Sequence, residues 1–271
     1  MKPFLKWAGN KIHIIERVRE KIGSGQRLVE PFLGSGAVFL NSDFESYLLS
    51  DTNPDLINLY LTLQKQGKEF VDYCESLFCP EYNQEDKFYE LREMFNNQPD
   101  PVLKSAILVY LNRHCYNGLI RYNLKGGFNT PFGRYQNPYF PRTEMLYFFE
   151  KSQRAQFFCQ DFETSMLNAK RGDVIYCDPP YSPISKTANF TSYSAKPFGP
   201  LEQMRLVKVA WLAAKHGSRV VISNHSTEFT EDAYQGMSVN QFEVQRTISC
   251  KAKGRNKVLE LIAVMEPSAQ V

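Results

Sequence analysis

The 271-residue sequence has no Cys-x-x-Cys pair, its six cysteines standing at 74, 79, 115, 159, 177 and 250. Its four histidines, His13, His114, His216 and His225, are just as scattered, so neither a disulfide framework nor a zinc site is expected. Each histidine reads as a surface or satisfied polar residue, and no metal is expected. No apolar run approaches the length of a membrane span, and Pro3, Trp7 and Gly9 break up the start, MKPFLKWAGNK, where a signal peptide needs an unbroken apolar stretch. A cytoplasmic protein with no membrane partner is expected. Internal repeats and low-complexity segments are missing too. Net charge is scarce: +3 is too little to imply a nucleic-acid partner by itself. With 43% hydrophobic and 23% charged residues the chain is an ordinary globular one, and its length suggests one α/β core carrying one elaboration.

What charge there is lies in blocks. Arg113 to Arg142 holds five Lys or Arg and no acid, with Tyr116, Tyr122, Phe128, Phe132, Tyr135, Tyr139 and Phe140 interleaved, and Arg246 to Lys257 holds five more basic residues and no acid. Such stretches are expected to bind phosphates, with rings available to bases. An ordinary solvated loop competes with that reading, and a solvated hairpin tip explains Lys251, Lys253, Arg255 and Lys257 almost as well.

Short β-rich runs ending in polar or Pro/Gly punctuation predict strands at Arg27 to Glu30, Tyr47 to Ser50, Gln156 to Cys159, Val174 to Cys177 and Arg219 to Ser223. Helical patterns lie between them, as at Ile12 to Lys21 and at Leu201 to Lys215, where Leu201, Met204, Val207 and Trp211 share one side. That alternation implies a mostly parallel sheet. Phe242 to Ile248 and Lys257 to Met265, joined by SCKAKGRN, predict a terminal antiparallel hairpin. The rhythm is interrupted by four helical patterns, Leu56 to Leu63, Phe70 to Phe78, Lys87 to Phe95 and Val102 to Leu111, which predict a helical insertion. The following stretch, Asn112 to Pro141, is too polar and turn-rich for a core and reads as surface loops and a hairpin.

Two segments carry chemistry. In Leu28-Val29-Glu30-Pro31-Phe32-Leu33-Gly34-Ser35-Gly36 a strand runs into a tight turn, where Gly34 and Gly36 leave room for a cofactor at the carboxyl edge of the sheet. A plain strand-to-helix turn is the simpler reading, and a dinucleotide site lacks its third glycine near Phe39. Asp51 ends the next strand, suited to the hydroxyls of an adenosine ribose or, more simply, to capping a helix before Thr52-Asn53-Pro54. The second segment is more specific: Val174-Ile175-Tyr176-Cys177 empties into Asp178-Pro179-Pro180-Tyr181. An exocyclic amine on a purine is a poor nucleophile. Acceptors at Asp178 and the Pro179 carbonyl can bind its hydrogens and favour attack by nitrogen, Tyr181 can stack on a flipped base, and Pro180 stiffens the corner with Pro179. Cys177 reads as a buried strand residue, because nitrogen carries its own lone pair and needs no cysteine nucleophile.

In these segments the chain closely resembles the Dam family of DNA adenine methyltransferases. The resemblance also rests on Phe4-Leu5-Lys6-Trp7-Ala8-Gly9-Asn10-Lys11, Tyr116-Asn117-Gly118-Leu119-Ile120-Arg121-Tyr122-Asn123 and Ala188-Asn189-Phe190-Thr191, in family order along nearly the whole chain. It implies a seven-stranded, Rossmann-like S-adenosylmethionine-dependent methyltransferase fold with its seventh strand antiparallel. Residues 1–54 and 142–271 would form the catalytic domain and 55–141 an inserted recognition domain of helices and a β-hairpin. By similarity, Trp7, Lys11, Glu30, Phe32, Gly34, Gly36, Asp51 and Asp178 line the S-adenosylmethionine site, and Asp161 and Phe162 flank the cofactor adenine. The family has Gly-Gly-Lys where this chain has Gly9-Asn10-Lys11, and Asn tolerates the positive φ such a turn requires.

The resemblance also implies the substrate: double-stranded DNA, methylated at N6 of adenine in GATC by a monomeric enzyme. Arg121 would read the first guanine with help from Lys6, and Leu119 and Pro131 would contact the third position. Tyr116 and Asn117 would fill the gap left by the flipped base, with Tyr135 as a buttress. The segment from Ser182 to Pro197 reads as a loop that orders over the adenine. Alternatives are a cytosine-N4 methyltransferase using the same amine chemistry, an RNA methyltransferase, and a DNA-binding module with a dead cofactor site.

Overall fold

The computed structural model describes residues 1–181, 198–245 and 257–268. The segment from Ser182 to Pro197, with Ala188-Asn189-Phe190-Thr191 inside it, and the hairpin tip with Lys251, Lys253 and Arg255 lie outside the described residues.

The elements in chain order are a 3-10 turn at Lys11–Ile14, α1 (Ile15–Ile22), β1 (Arg27–Glu30), α2 (Ala37–Asn41), β2 (Ser46–Asp51), α3 (Pro54–Gln66), α4 (Lys68–Ser76), α5 (Glu85–Asn97) and α6 (Pro101–His114). After a second 3-10 turn at Tyr116–Gly118 follow α7 (Arg142–Ser152), β3 (Ala155–Cys159), α8 (Phe162–Leu167), β4 (Val174–Cys177), α9 (Pro200–Lys215), β5 (Arg219–His225), α10 (Glu228–Ala233), β6 (Ser238–Gln245) and β7 (Lys257–Met265). Local chemistry sets the helix starts. Asn53 and Asp100 cap α3 and α6 ahead of a proline in the first turn, and Thr227 with Thr230 forms a capping box on α10.

The strands form one seven-stranded sheet in the order β3-β2-β1-β4-β5-β7-β6. β1 to β5 are parallel, while β7 is antiparallel to both β5 and β6. This is the seven-stranded methyltransferase sheet, its seventh strand reversed. The chain leaves β1 toward β2 and β3 on one side and returns to β4 and β5 on the other. The carboxyl ends of β1 and β4 therefore border the switch point where open sheets bind ligands.

Alternation along the strands divides the apolar residues between two layers. Leu28, Tyr47, Leu49, Val174, Tyr176 and Val221 face the layer containing α1, α3 and α7, whereas Val29, Leu48, Ile175, Cys177, Val220 and Ile222 face α8 and α9. Helices α4 to α6 are continuous with the first layer: Phe70, Phe88, Leu91, Phe95 and Ile107 join the same cluster as Phe4, Tyr60 and Phe148.

Two sequence expectations change. The buried side of α9 is Gln203, Leu206, Val207, Ala210 and Ala213, while Leu201, Met204 and Trp211 face outward. Small alanines let a helix lie close on the strands, and a pattern weighted by bulk picks the wrong side. The stretch after α6 is also less superficial than its polarity suggests, because Cys115, Ile120, Phe128 and Thr130 are buried beneath its turns.

Candidate active site

Lys11, Asp178 and Tyr181 meet at the edge of β4. The Lys11 ammonium lies 2.9 Å from Asp178 Oδ1, donates to the Gly9 carbonyl at 2.8 Å and sits 4.4 Å from the centre of the Tyr181 ring. One nitrogen thus has a carboxylate acceptor and an aromatic face at once. Burial pushes the Asp178 carboxyl above the usual carboxylate range, and Lys11, Ser223 and Tyr181 pull it back. Glu30, at the end of β1, is 2% exposed and its Oε1 has no hydrogen-bond partner among the described residues. Burial, reinforced by the charge of Asp178, holds its carboxyl well above the usual range. Pro179 is buried and Pro180 exposed, so the corner turns outward at its second proline.

The glycine turn is organised around Asp51 and Trp7. Asp51 Oδ2 accepts the Gly34 amide at 3.0 Å and Oδ1 accepts the Asn53 amide at 3.0 Å. Helix α3 is capped by Asn53, so Asp51 is left to fix the loop after β1 instead of capping a helix. Gly34 has φ +48°, and a Cβ there would meet the Trp7 indole at 2.8 Å. Both the backbone and the close approach exclude any larger residue. Gly36 stands at the N-cap of α2. The Asn10 expectation is corrected: Asn10 has φ −55° and its side chain accepts the Ile12 amide, while the positive φ falls on Gly9. Asparagine is favoured at such a cap, which accommodates the departure from the family's second glycine.

Phe32 and Phe162 stack with ring centres 5.3 Å apart, and Phe198 packs edge-on to both. Asp161 caps α8 through the Glu163 amide and pairs with Arg205 at 2.7 Å. The Arg205 guanidinium lies 4.3 Å from the Phe162 ring centre. These residues form a separate aromatic and charged group on the α8–α9 side of the sheet.

The residues assigned to DNA form another cluster. A Cβ on Gly118 would lie 2.3 Å from Lys6 Cδ, and the Lys6 ammonium is 4.6 Å from the Tyr135 ring centre. The Tyr135 hydroxyl oxygen accepts the Asn117 amide at 3.0 Å. Asn117 has φ +54°, a conformation asparagine tolerates. Tyr116, Pro131 and Arg121 are exposed and Leu119 is half-buried. The Tyr116 amide donates to the Pro131 carbonyl at 2.8 Å. Arg121 Nε donates to Asn129 Oδ1 at 2.7 Å and Nη2 to the Asn129 carbonyl at 3.2 Å. The guanidinium is braced on one side, and its outer Nη1–Nη2 edge remains for a partner. The two clusters share the N-terminal segment: Asn112, on α6, bonds both the amide and the carbonyl of Lys6, five residues before Lys11.

The basic stretch is less free than it reads. Arg134 pairs with Glu85, Arg142 with Asp72 and Glu75, and buried Arg113 bonds the Phe4 carbonyl. Lys257 pairs with Glu243. The acids come from α4, α5 and β6, elements remote in sequence.

Sequence reasoning missed the end of β5. Ser223 donates to Asp178 Oδ1 at 3.4 Å, and the His225 ring packs on Tyr181 with centres 4.3 Å apart. A polar Ser-Asn-His closing an apolar parallel strand was the available signal. Glu260 was also missed. It faces His225 across β5 and β7, and its carboxyl is raised by burial, lowered by Lys11 and raised again by Asp178. Only the antiparallel register brings it there. His114, by contrast, is a satisfied core residue, stacked 3.9 Å from Tyr110 and held neutral by burial with a pKa near 4. Cys177 is buried, and burial pushes its thiol up.

The sheet and its acidic, aromatic corner define a Rossmann-like S-adenosylmethionine-dependent methyltransferase. The family model for D12 class N6 adenine-specific DNA methyltransferases matches residues 7–248. The chain is 47% identical to the DNA adenine methylase of Serratia marcescens, over 97% of this chain and 98% of that protein. It is 44% identical to the DNA adenine methylase of Escherichia coli (strain K12), over 98% and 96%. The chain belongs to the D12 class of N6 adenine-specific DNA methyltransferases. Its substrate is DNA and its reaction is methylation of adenine N6, which sets aside the cytosine, RNA and non-enzymatic alternatives.

Proposed function

We propose that the chain methylates an adenine flipped out of duplex DNA within GATC, with Asp178 to Tyr181 as the reaction centre. The observation that carries this reading is the Lys11 ammonium, bonded to Asp178 and facing Tyr181, because a target amine needs the same acceptor and the same ring. Residues 1–54 and 142–271 act as the catalytic part and 55–141 as the recognition part. One chain supplies both clusters, so a monomer suffices, and the cytoplasm is where such a chain meets DNA. Among the described residues no helix is long and apolar enough to cross a membrane.

The crevice suits S-adenosylmethionine. Its carboxyls, Glu30, Asp51 and Asp178, exceed its cations, and Glu30 presents a buried oxygen with no described partner. Trp7, Lys11, Glu30, Phe32, Gly34, Gly36 and Asp51 would hold the cofactor, with Asp161 and Phe162 toward its adenine. When bound, it supplies an electrophilic methyl group on positively charged sulfur. The remaining work falls to the chain. Lys11 yields its place as the base enters, and Glu260 is the nearby acid toward which its charge can turn. Asp178 and the Pro179 carbonyl accept the hydrogens of N6, directing its lone pair toward the methyl group. Positive charge develops on nitrogen during attack, the half-buried Asp178 carboxylate stabilises it, and one N6 hydrogen then leaves as a proton through that carboxylate so that the methylated amine is neutral. Tyr181 replaces stacking lost from the duplex.

Asp178→Ala tests this assignment. Single-turnover methylation is expected to fall about 100-fold or more, the scale of a lost positioning and acid–base group, while DNA affinity is largely kept. Near-normal transfer would remove Asp178 from the reaction centre.

A further inference from the structure

Three consecutive residues at the end of β5 grip three of the four residues of the catalytic corner. Ser223 donates to Asp178, and the His225 ring lies against Tyr181. Between them, Asn224 reaches Pro180 through Gln203: Asn224 Nδ2 donates to Gln203 Oε1 at 3.1 Å, and Gln203 Nε2 donates to the Pro180 carbonyl at 3.3 Å. Asn224 Nδ2 also donates to the Tyr234 hydroxyl at 2.9 Å. Gln203, Asn224 and Tyr234 are each at most 1% exposed.

The polarity of this chain is fixed from one end. The His225 amide can only donate, and it donates to Asn224 Oδ1 at 2.9 Å. The Asn224 NH2 group must then face Gln203 Oε1, which turns the Gln203 NH2 group toward Pro180. The proline rings fix φ at both positions of the corner, so the ψ of Pro180 is the soft torsion that sets where Tyr181 points. A hydrogen bond to the Pro180 carbonyl pins that torsion. Buried amides that met no partner would each cost stability, so the network has one satisfied arrangement and no cheap alternative.

We infer that Gln203 and Asn224 are positioning residues for methyl transfer, holding the Pro180–Tyr181 peptide in the orientation that presents Tyr181 and the acceptors to the flipped base. The inference rests on Asp178 to Tyr181 being the reaction centre.

The test uses the full chain with Gln203→Met, Asn224→Asp and their combination, alongside Asp178→Ala. Ionised, the Asn224→Asp carboxylate keeps shape but has no hydrogen to donate, so at a pH above its titration the Gln203 amide reverses and turns oxygen toward oxygen at Pro180. Each single variant is expected to slow single-turnover transfer about 10- to 100-fold, as misplacement of a reacting group does, with cofactor and DNA dissociation constants within about twofold of wild type. The double variant is expected to be no slower than the worse single one, because both break the same link. Full-speed transfer in Gln203→Met, additive losses, or losses matched by weakened binding of both ligands would overturn the inference. If neither variant folds, Tyr234→Phe removes one oxygen from the same chain and should still slow transfer severalfold, and an unchanged rate there would overturn it equally. A normal rate in Asp178→Ala, whatever the others do, would instead overturn the reaction-centre assignment.

Discussion

At Asp178, burial and neighbouring charge pull in opposite directions. Burial raises the carboxyl, and the Lys11 ammonium is the largest influence holding it down. On the proposed assignment only the ionised carboxylate can serve purely as an acceptor for N6 hydrogens, so transfer is expected to fall as pH drops through the raised value, above the range of an ordinary aspartate. Lys11→Met removes the main opposing influence, the carboxyl rises further, and the acid limb of the rate profile moves to higher pH. The pH dependence of kcat/KM for DNA across the acid range at saturating cofactor, which reports the enzyme before DNA binds and Lys11 leaves Asp178, measures this. A limb that stays in place or moves to lower pH would mean that another group controls it. Asp178 and Tyr181 were legible in the sequence because Asp-Pro-Pro-Tyr after an apolar strand is a specific combination. Their partners Ser223, Asn224, His225 and Glu260 were not, because they reach the corner through sheet order and register, which local patterns do not encode.

At the scale of elements, the turn-rich segment after α6 is the part proposed to address DNA. Its backbone closes through the antiparallel bridges Cys115 to Phe132 and Tyr122 to Phe128, placing Arg121 opposite Asn129. Arg121 is exposed but braced, and a braced guanidinium loses little freedom when it bonds both O6 and N7 of a guanine. Arg121→Ala is therefore expected to slow methylation of GATC by the equivalent of about 1–3 kcal/mol while slowing sites altered at the first guanine much less. Rates for both proteins on GATC and its three first-base variants, at fixed salt, provide the comparison. A mutant that keeps the full wild-type preference would pass the role to Lys6, whose ammonium lies in the same cluster over Tyr135. The sequence showed this segment as basic and aromatic, but not that Glu85, Asp72 and Glu75 pair with two of its arginines. Acids on separate helices are invisible to a count along one stretch.

Across the whole molecule, the segment from Phe4 to Lys11 joins the Asp178 corner to the cluster around Lys6, the crevice and the surface proposed for cofactor and DNA. Phe4 is buried among Tyr60 and Phe148, Lys6 is held by Asn112 of α6, and Lys11 reaches Asp178. On the proposed assignment, this connection lets motifs far apart in sequence serve one reaction. The parallel character of the sheet was legible from the βα rhythm, whereas the inward face of α9 was not, since its alanines carry too little bulk to dominate a periodicity. The most direct measurement is nucleotide-resolution mapping of methylated bases in DNA from cells that lack their own adenine methylation and express this chain or its Asp178→Ala variant. The account predicts N6-methyladenine at GATC with the wild-type chain and its loss with the variant. Methylation centred on another sequence or another base, or GATC methylation that persists without Asp178, would contradict it.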